Sequence, residues 1–383
     1  MVILRVNITK GMVNQMQIKN VQVFMGDGVF RNASVEFDDR IQSVDVCSAA
    51  DSDTGFYLIP GLVDIHTHGA LGGDHCHGSS EELLKMASFY AKNGTTSFLA
   101  TTLTAPVETL ENAMLAVAEY ERSANGARCV GVNLEGPFFS FEKRGAHPAD
   151  LLRPPDIAMF ERFFQLSGER IKLVCVAPEL DGAMEFIREV SQVSRVSIAH
   201  SAANYETAMK AFGNGATVVT HLFNGMSPFL HRDPGIVGAA LDANAFVELI
   251  CDGYHLHPAV VRAIFAMFPK RACLISDSLG CTGLPDGNYE SAGLPIIVQN
   301  GNARLAEGGS IAGSTISLLQ GVRNAVFLGI PLSEAVAAAS KHPAQAIGME
   351  GQIGSLTPGA CADMLLLDSE LRLQKVYIGG KEL

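Results

Sequence analysis

Two histidines one residue apart, His66 and His68, end the apolar run Leu62-Val63-Asp64-Ile65 and are followed by Gly69. In a strand, residues i and i+2 point to the same side, so both imidazoles would face one point. Two neutral imidazoles converging in this way suit a transition metal. The pair alone fits equally well as alternating polar residues on a half-buried strand. What separates the two readings is that later apolar runs also end in side chains able to ligate a metal or move a proton. Glu135 closes one in Glu135-Gly136-Pro137-Phe138, His200 another in His200-Ser201, and His221 lies in Thr220-His221-Leu222-Phe223-Asn224. Asp252-Gly253-Tyr254-His255 and Asp277-Ser278 follow two more. His75-Cys76-His77, in a glycine-rich stretch, imitates a ligand cluster and is read as a mobile loop.

Such residues need a scaffold that gathers strand ends. Eight apolar runs are candidate strands: 62–68, 95–102, 129–135, 171–179, 196–200, 216–224, 246–253 and 272–278. Amphipathic segments separate most of them, among them 81–92, 107–122 and 258–268. Continuous apolar strands alternating with helices predict a parallel sheet covered on both faces. Eight such units predict a (β/α)8 barrel, whose C-terminal strand ends line a single mouth where active sites sit. A doubly wound open sheet is the structural alternative. Residues 1–57 and 355–383 share a different texture of short β-like runs with turn signals such as Gly26-Asp27-Gly28 and Asp38-Asp39. The expectation is a small β-sandwich domain built from both termini, beside a barrel spanning 58–354. Residues Met1–Asn7 alternate as a strand does.

Bulk properties narrow the function classes. The formal net charge of −12 argues against general binding to nucleic acid or to anionic membrane, and an anionic ligand would need a local cationic pocket. Hydrophobic residues make up 48% of the 383, enough for a sizeable core, and no apolar stretch approaches the roughly 18 residues that span a bilayer. Eight cysteines without a Cys-x-x-Cys pair read as reduced thiols in a cytoplasmic protein.

His-x-His on strand one, His on strands five and six and Asp on strand eight resemble the pattern of the amidohydrolase superfamily. Longer motifs resemble one family within it, the N-acetylglucosamine-6-phosphate deacetylases. These are Glu135-Gly136-Pro137-Phe138, Arg144-Gly145-Ala146-His147, Thr220 to Met226, His231-Arg232-Asp233-Pro234-Gly235, Asp252 to His255 and Ser310-Ile311-Ala312-Gly313-Ser314. The likeness runs from about residue 55 to 367. It departs from the family at Gly225, where alanine is usual, a change expected to matter little if the contact is through the backbone.

The resemblance implies hydrolysis of the acetamide of N-acetylglucosamine 6-phosphate. Glu135, His200 and His221 would hold a divalent metal (Zn, Fe, Mn or Co) and leave a position open for water. His66 and His68 would allow a second metal bridged by Glu135, so one or two ions per subunit. Asp277 is expected to take the proton of the attacking water and pass it to the departing amine. His255 is expected to stabilise the oxyanion. Arg232 offers a bidentate fork to the phosphate, with Asn224, the Gly225 N–H, Ala146 and His147 as further substrate contacts. Ile311, Ala312 and Gly313 would pack near the acetyl group. Family members are typically homodimers, so Arg232 or His147 is expected to be able to reach a neighbouring site. The alternatives are the N-acetylgalactosamine 6-phosphate enzyme, a cyclic amidase with a bridging carboxylated lysine, and a catalytically silent barrel.

Overall fold

The computed structural model describes residues 8–10, 16–47, 55–121 and 125–383, which leaves the strand expected at Met1–Asn7 outside the described residues. Among them, eight parallel strands pair in chain order: Leu62–Thr67, Thr95–Thr102, Arg128–Leu134, Ile171–Val176, Arg195–Ile198, Ala216–Val219, Phe246–Ile250 and Ala272–Ile275. They are strands one to eight below. Every residue of strands one and two is buried, as expected of a parallel sheet covered on both faces. Helices such as Ser80–Lys92, started by a Ser79–Glu82 capping box, and Ile157–Leu166, capped by Asp156, fill the crossovers.

Strands one and eight come together at their C-terminal ends. The Asp277 N–H donates to the His66 carbonyl (2.9 Å) and the His68 N–H to the Ser278 carbonyl (2.8 Å). At the other end the Val63 N–H is taken by the Ala339 carbonyl at 2.9 Å. The barrel therefore closes through the backbone of the very residues whose side chains carry chemistry.

Several strands stop short of the expected runs. Strand four ends at Val176 rather than Glu179, strand six at Val219 rather than Asn224 and strand seven at Ile250 rather than Gly253. For strand six a physical reason is visible in the backbone, where His221 and Phe223 have φ of 27° and 77°; His200 and Asp277, just past strands five and eight, have φ of 43° and 49°. Positive φ is incompatible with a strand and uncommon outside glycine. The helix Val107–Ala118 also ends before the expected Arg122, which lies outside the described residues.

Strands from both termini, Ile8–Lys10, Met16–Phe24, Phe30–Phe37, Ile41–Val46, Tyr57–Pro60, Met364–Leu367, Leu373–Ile378 and Lys381–Glu382, form a second sheet. Phe37 and Tyr377 lie four strand spacings apart along it, about 19 Å if the sheet were flat. Their ring centroids are 5.6 Å apart. The sheet therefore folds over a shared core that includes Ile18, Val23, Leu58 and Leu366.

One element was not expected from the sequence. After strand eight the chain forms a four-stranded antiparallel sheet, Gly287–Ser291, Leu294–Gln299, Asn302–Leu305 and Ile311–Gly313. It returns its last strand to the barrel mouth, where the Ser314 N–H donates to the Asp277 carbonyl at 2.7 Å. Gly313 has φ of 141°, and a Cβ there would lie 3.1 Å from that same carbonyl oxygen, so only glycine fits. Among the described residues no helix is long and apolar enough to cross a membrane.

Candidate active site

The polar strand ends converge. Glu135, His200 and His221 form one group of potential metal ligands, and His66, His68 and Glu135 form another, the atoms of each lying within 4.8 Å of one another. In the first group, His221 Nε2 is 3.2 Å from Glu135 Oε1 and 3.1 Å from His200 Nε2, and His200 Nε2 is 3.4 Å from Glu135 Oε1. In the second, His66 Nε2 and His68 Nε2 are 3.3 Å apart and lie 3.4 and 3.3 Å from Glu135 Oε2. Four ligands at bond lengths of about 2.0–2.1 Å around a tetrahedral ion sit about 3.3 Å from each other. The separations in both groups match that edge, and one Glu135 oxygen serves each group.

Orientation supports the same use. His66 Nδ1 pairs with Glu248 Oε2 (2.9 Å), His68 Nδ1 with the Thr101 carbonyl (3.3 Å), His200 Nδ1 with the Lys143 carbonyl (2.9 Å) and His221 Nδ1 with the Asn224 carbonyl (3.2 Å). Each acceptor selects the Nδ1–H tautomer and leaves the Nε2 lone pair facing the cluster. The donor set of imidazoles and a carboxylate suits a divalent transition metal.

The electrostatics pull positive charge into this space. Burial disfavours the charged form of His66, yet Glu135 and Glu248 outweigh it and hold the ring well above the ordinary histidine range. His68 is raised to about 9, burial being outweighed by Asp277 and Glu135. Burial pushes Glu135 upward, but the surrounding histidines win and keep it well below the usual carboxylate range. A site that draws protons onto imidazoles so strongly exchanges them for a cation when one binds.

Asp277 Oδ1 stands at the edge of the second group, 3.1 Å from His68 Nε2 and 3.5 Å from His66 Nε2. Burial raises its pKa, but His68 and His66 outweigh this and lower it, so the carboxylate stays ionised. His255 gives Nδ1–H to Asp252 Oδ2 at 2.8 Å, and the other Asp252 oxygen accepts the N–H groups of Tyr254 and His255. With Nδ1 so engaged, Nε2 is the ring nitrogen left to meet a ligand.

The remaining expected contacts separate into two zones. His147, which follows Ala146, is buried against the cluster: its Nδ1 bonds Thr104 Oγ1 at 2.9 Å and its Nε2 lies 3.9 Å from Glu135. Arg232 is exposed and makes no ion pair among the described residues. The structure thus does not place His147 on the exposed surface where Arg232 lies. The Asn224 amide is turned onto the His221 and Leu222 carbonyls (3.2 and 3.3 Å), where it braces the loop carrying His221. At Gly225, φ is 59° and a Cβ would fall 2.8 Å from His200 Nδ1, so alanine there would press on a potential ligand. Ile311 and Ala312 are half-buried and Gly313 buried, beside Asp277. The segment His75-Cys76-His77 is a turn, and it is packed at its first two residues. His75 and Cys76 are buried, His75 stacks on Phe98 and bonds Tyr90 Oη (3.2 Å), and the Cys76 thiol accepts the Leu103 N–H (2.9 Å).

Sequence reasoning passed over two buried acids. Glu248, in Phe246-Val247-Glu248-Leu249-Ile250, is a lone carboxylate inside an apolar strand, and an acid in that setting requires a partner. Asp64 accepts the Ser276 N–H at 3.2 Å, and burial raises it to about 6. Asp252 was visible within a motif, and the structure adds that it orients His255.

Comparison with known proteins agrees with this geometry. The amidohydrolase family model matches residues 57–383. The N-acetylgalactosamine-6-phosphate deacetylase of Escherichia coli O157:H7 is 40% identical over 328 residues, covering 85% of this chain and 87% of that protein. The N-acetylglucosamine-6-phosphate deacetylase of Vibrio furnissii is 37% identical over 328 residues, covering 85% and 82%. A mutant N-acetyl-D-glucosamine-6-phosphate deacetylase from Mycobacterium smegmatis, solved in complex with N-acetyl-D-glucosamine-6-phosphate, superposes with a TM-score of 0.89. It is 32% identical, covering 96% of this chain and 99% of that one. Barrel, ligand cluster and relatives agree: the chain belongs to the amidohydrolase family, among its N-acetylglucosamine-6-phosphate deacetylases.

Proposed function

We propose that this protein removes acetate from N-acetylglucosamine 6-phosphate by metal-dependent hydrolysis, giving glucosamine 6-phosphate. The observation that carries the reading is the ionised Asp277 carboxylate, 3.1 Å from His68 Nε2 at the edge of two ligand groups that share Glu135. Glu135, His200 and His221 would hold one divalent cation, and His66 and His68, with Glu135, would hold a second. When bound, such a cation polarises a carbonyl and makes water acidic enough to deprotonate near neutral pH. Asp277 takes the proton of the water that attacks the acetamide carbon. It then delivers that proton to the amine as the C–N bond breaks, so the sugar leaves as an amine and the acyl carbon as acetate. His255, oriented by Asp252, stabilises the oxyanion. Ile311, Ala312 and Gly313 bound the acyl side and favour a methyl group.

Arg232 supplies the phosphate fork. Its exposure beside Phe229 and Leu230, which are 45% and 52% exposed, suits delivery across a homodimer interface. The eight cysteines are all free, in keeping with a reducing cytoplasm. The test is acetate release from N-acetylglucosamine and N-acetylgalactosamine, each with and without 6-phosphate. Preferred turnover of N-acetylglucosamine 6-phosphate supports the reading. Preference for the galacto epimer corrects the sugar, and no release from either phosphate removes the function.

A further inference from the structure

Glu248 lies on strand seven, 182 residues from His66, and is fully buried. One of its oxygens, Oε2, accepts from two places at once: His66 Nδ1 at 2.9 Å and the backbone N–H of His221 at 3.3 Å. Its backbone carbonyl accepts the Leu222 N–H at 2.8 Å, fastening the segment that carries His221. The second oxygen, Oε1, is buried without a hydrogen-bond partner among the described residues. A buried carboxylate so thinly satisfied needs a compensating positive charge nearby. His66 supplies the route, because its far nitrogen is one of the second group's ligand atoms.

The other three imidazoles of the cluster are held at Nδ1 by neutral backbone carbonyls. His66 alone among them is held by a carboxylate. An imidazole backed by a carboxylate is fixed in one tautomer and is the more basic ligand. With Glu135 and Asp277, Glu248 brings a third carboxylate to the four imidazoles. One divalent cation leaves that set negative, and a second reverses the balance.

We infer that Glu248 is the positioning residue that makes the His66–His68 group a tight site for a second divalent cation, acting through His66 without touching the substrate. The inference rests on the two-cation form of the proposed function. Co2+ is the probe, added to the metal-free full-length protein against a chromophoric chelator, with visible absorption following each equivalent. The wild-type protein is expected to bind two equivalents. Glu248→Gln should bind the first within about threefold of wild type, and the second about 10–100-fold more weakly. In a His66→Gln background, adding Glu248→Gln should produce no further loss.

Unchanged affinity for the second equivalent overturns the inference. Equal weakening of both equivalents, or additive losses in the double variant, also overturns it by showing a general structural role. If circular dichroism shows that Glu248→Gln does not fold, Glu248→Asp takes its place. It keeps the charge but withdraws the carboxylate from Nδ1, and the same selective loss is expected. A wild-type protein that binds one equivalent removes the inference and leaves a one-metal deacetylase standing. A wild-type protein that binds none removes the proposed function itself.

Discussion

The two ligand groups use similar atoms but are built differently. His66 lies on a wholly buried strand with His68 just past its end, and a carboxylate on strand seven backs His66. His200 and His221 sit just beyond their strands on positive-φ backbone, with only peptide carbonyls behind them. The His66–His68 group is held by side-chain charge on backbone without positive φ. The His200–His221 group is held by loop backbone in a conformation that costs of order 1–3 kcal/mol per residue and persists only when its surroundings fix it. Local strain of this kind tends to collect where geometry serves chemistry, which fits placing the essential cation on Glu135, His200 and His221.

The sharpest way to break this contrast is to remove one histidine from each group. His221→Gln should lose the first cation equivalent and all measurable acetate release. His66→Gln should lose only the second equivalent and keep at least about a tenth of the turnover, since the polarising cation it spares is worth several kcal/mol. Metal analysis and steady-state kinetics on the pair decide it, and the reverse order would exchange the roles of the groups. Asp277 lies between the ligands and the reaction. Asp277→Asn should cut kcat by about 10²–10⁴-fold, with KM and cation content near wild type. Equal loss of metal would make Asp277 chiefly a ligand.

Arg232 extends the contrast from the buried cluster to the exposed surface. A hydrogen bond to a charged group is worth about 1.5–3 kcal/mol. Arg232→Ala should therefore raise KM for the 6-phosphate about 10–100-fold and leave the unphosphorylated sugar unchanged. Equal effects on both sugars would end its phosphate assignment. The smallest effect is expected at Gly225, whose added Cβ would meet His200 Nδ1. Gly225→Ala places a Cβ on left-handed backbone at a cost of about 1–2 kcal/mol. It should weaken the first equivalent several-fold and lower Tm by a few degrees, with the second equivalent unaffected. A shift confined to the second equivalent would contradict the separate support of the two groups.

Legibility in the sequence followed the same division. The eight strands were readable because continuous apolar runs alternate with amphipathic segments, and the polar residues that end those runs stood out against them. Once a barrel is inferred, their convergence at one mouth follows from topology. Support at long range was not readable. Periodicity tells which side of a strand Glu248 faces but not that His66 waits there, and nothing local marks the Lys143 carbonyl as the partner of His200. The positive φ at His200, His221 and Asp277 was hidden because these are not glycines. Strands four, six and seven were read too long for a related reason: apolar or polar residues past the last ladder bond look the same in sequence. The four-stranded insertion after Asp277 was hidden in a stretch rich in glycine and polar residues. The packing of His75 was hidden because nothing in its glycine-rich setting marks Phe98 of strand two and Tyr90 of the helix Ser80–Lys92 as the rings beside it.

The most direct measurement follows acetate release from N-acetylglucosamine 6-phosphate while metal-free protein is titrated with Zn2+ or Mn2+. No turnover is expected before addition, and activity should rise in step with the first equivalent bound, the second changing it far less. Full turnover in protein stripped of metal would contradict the account, as would protein carrying both equivalents that releases no acetate from either hexosamine phosphate.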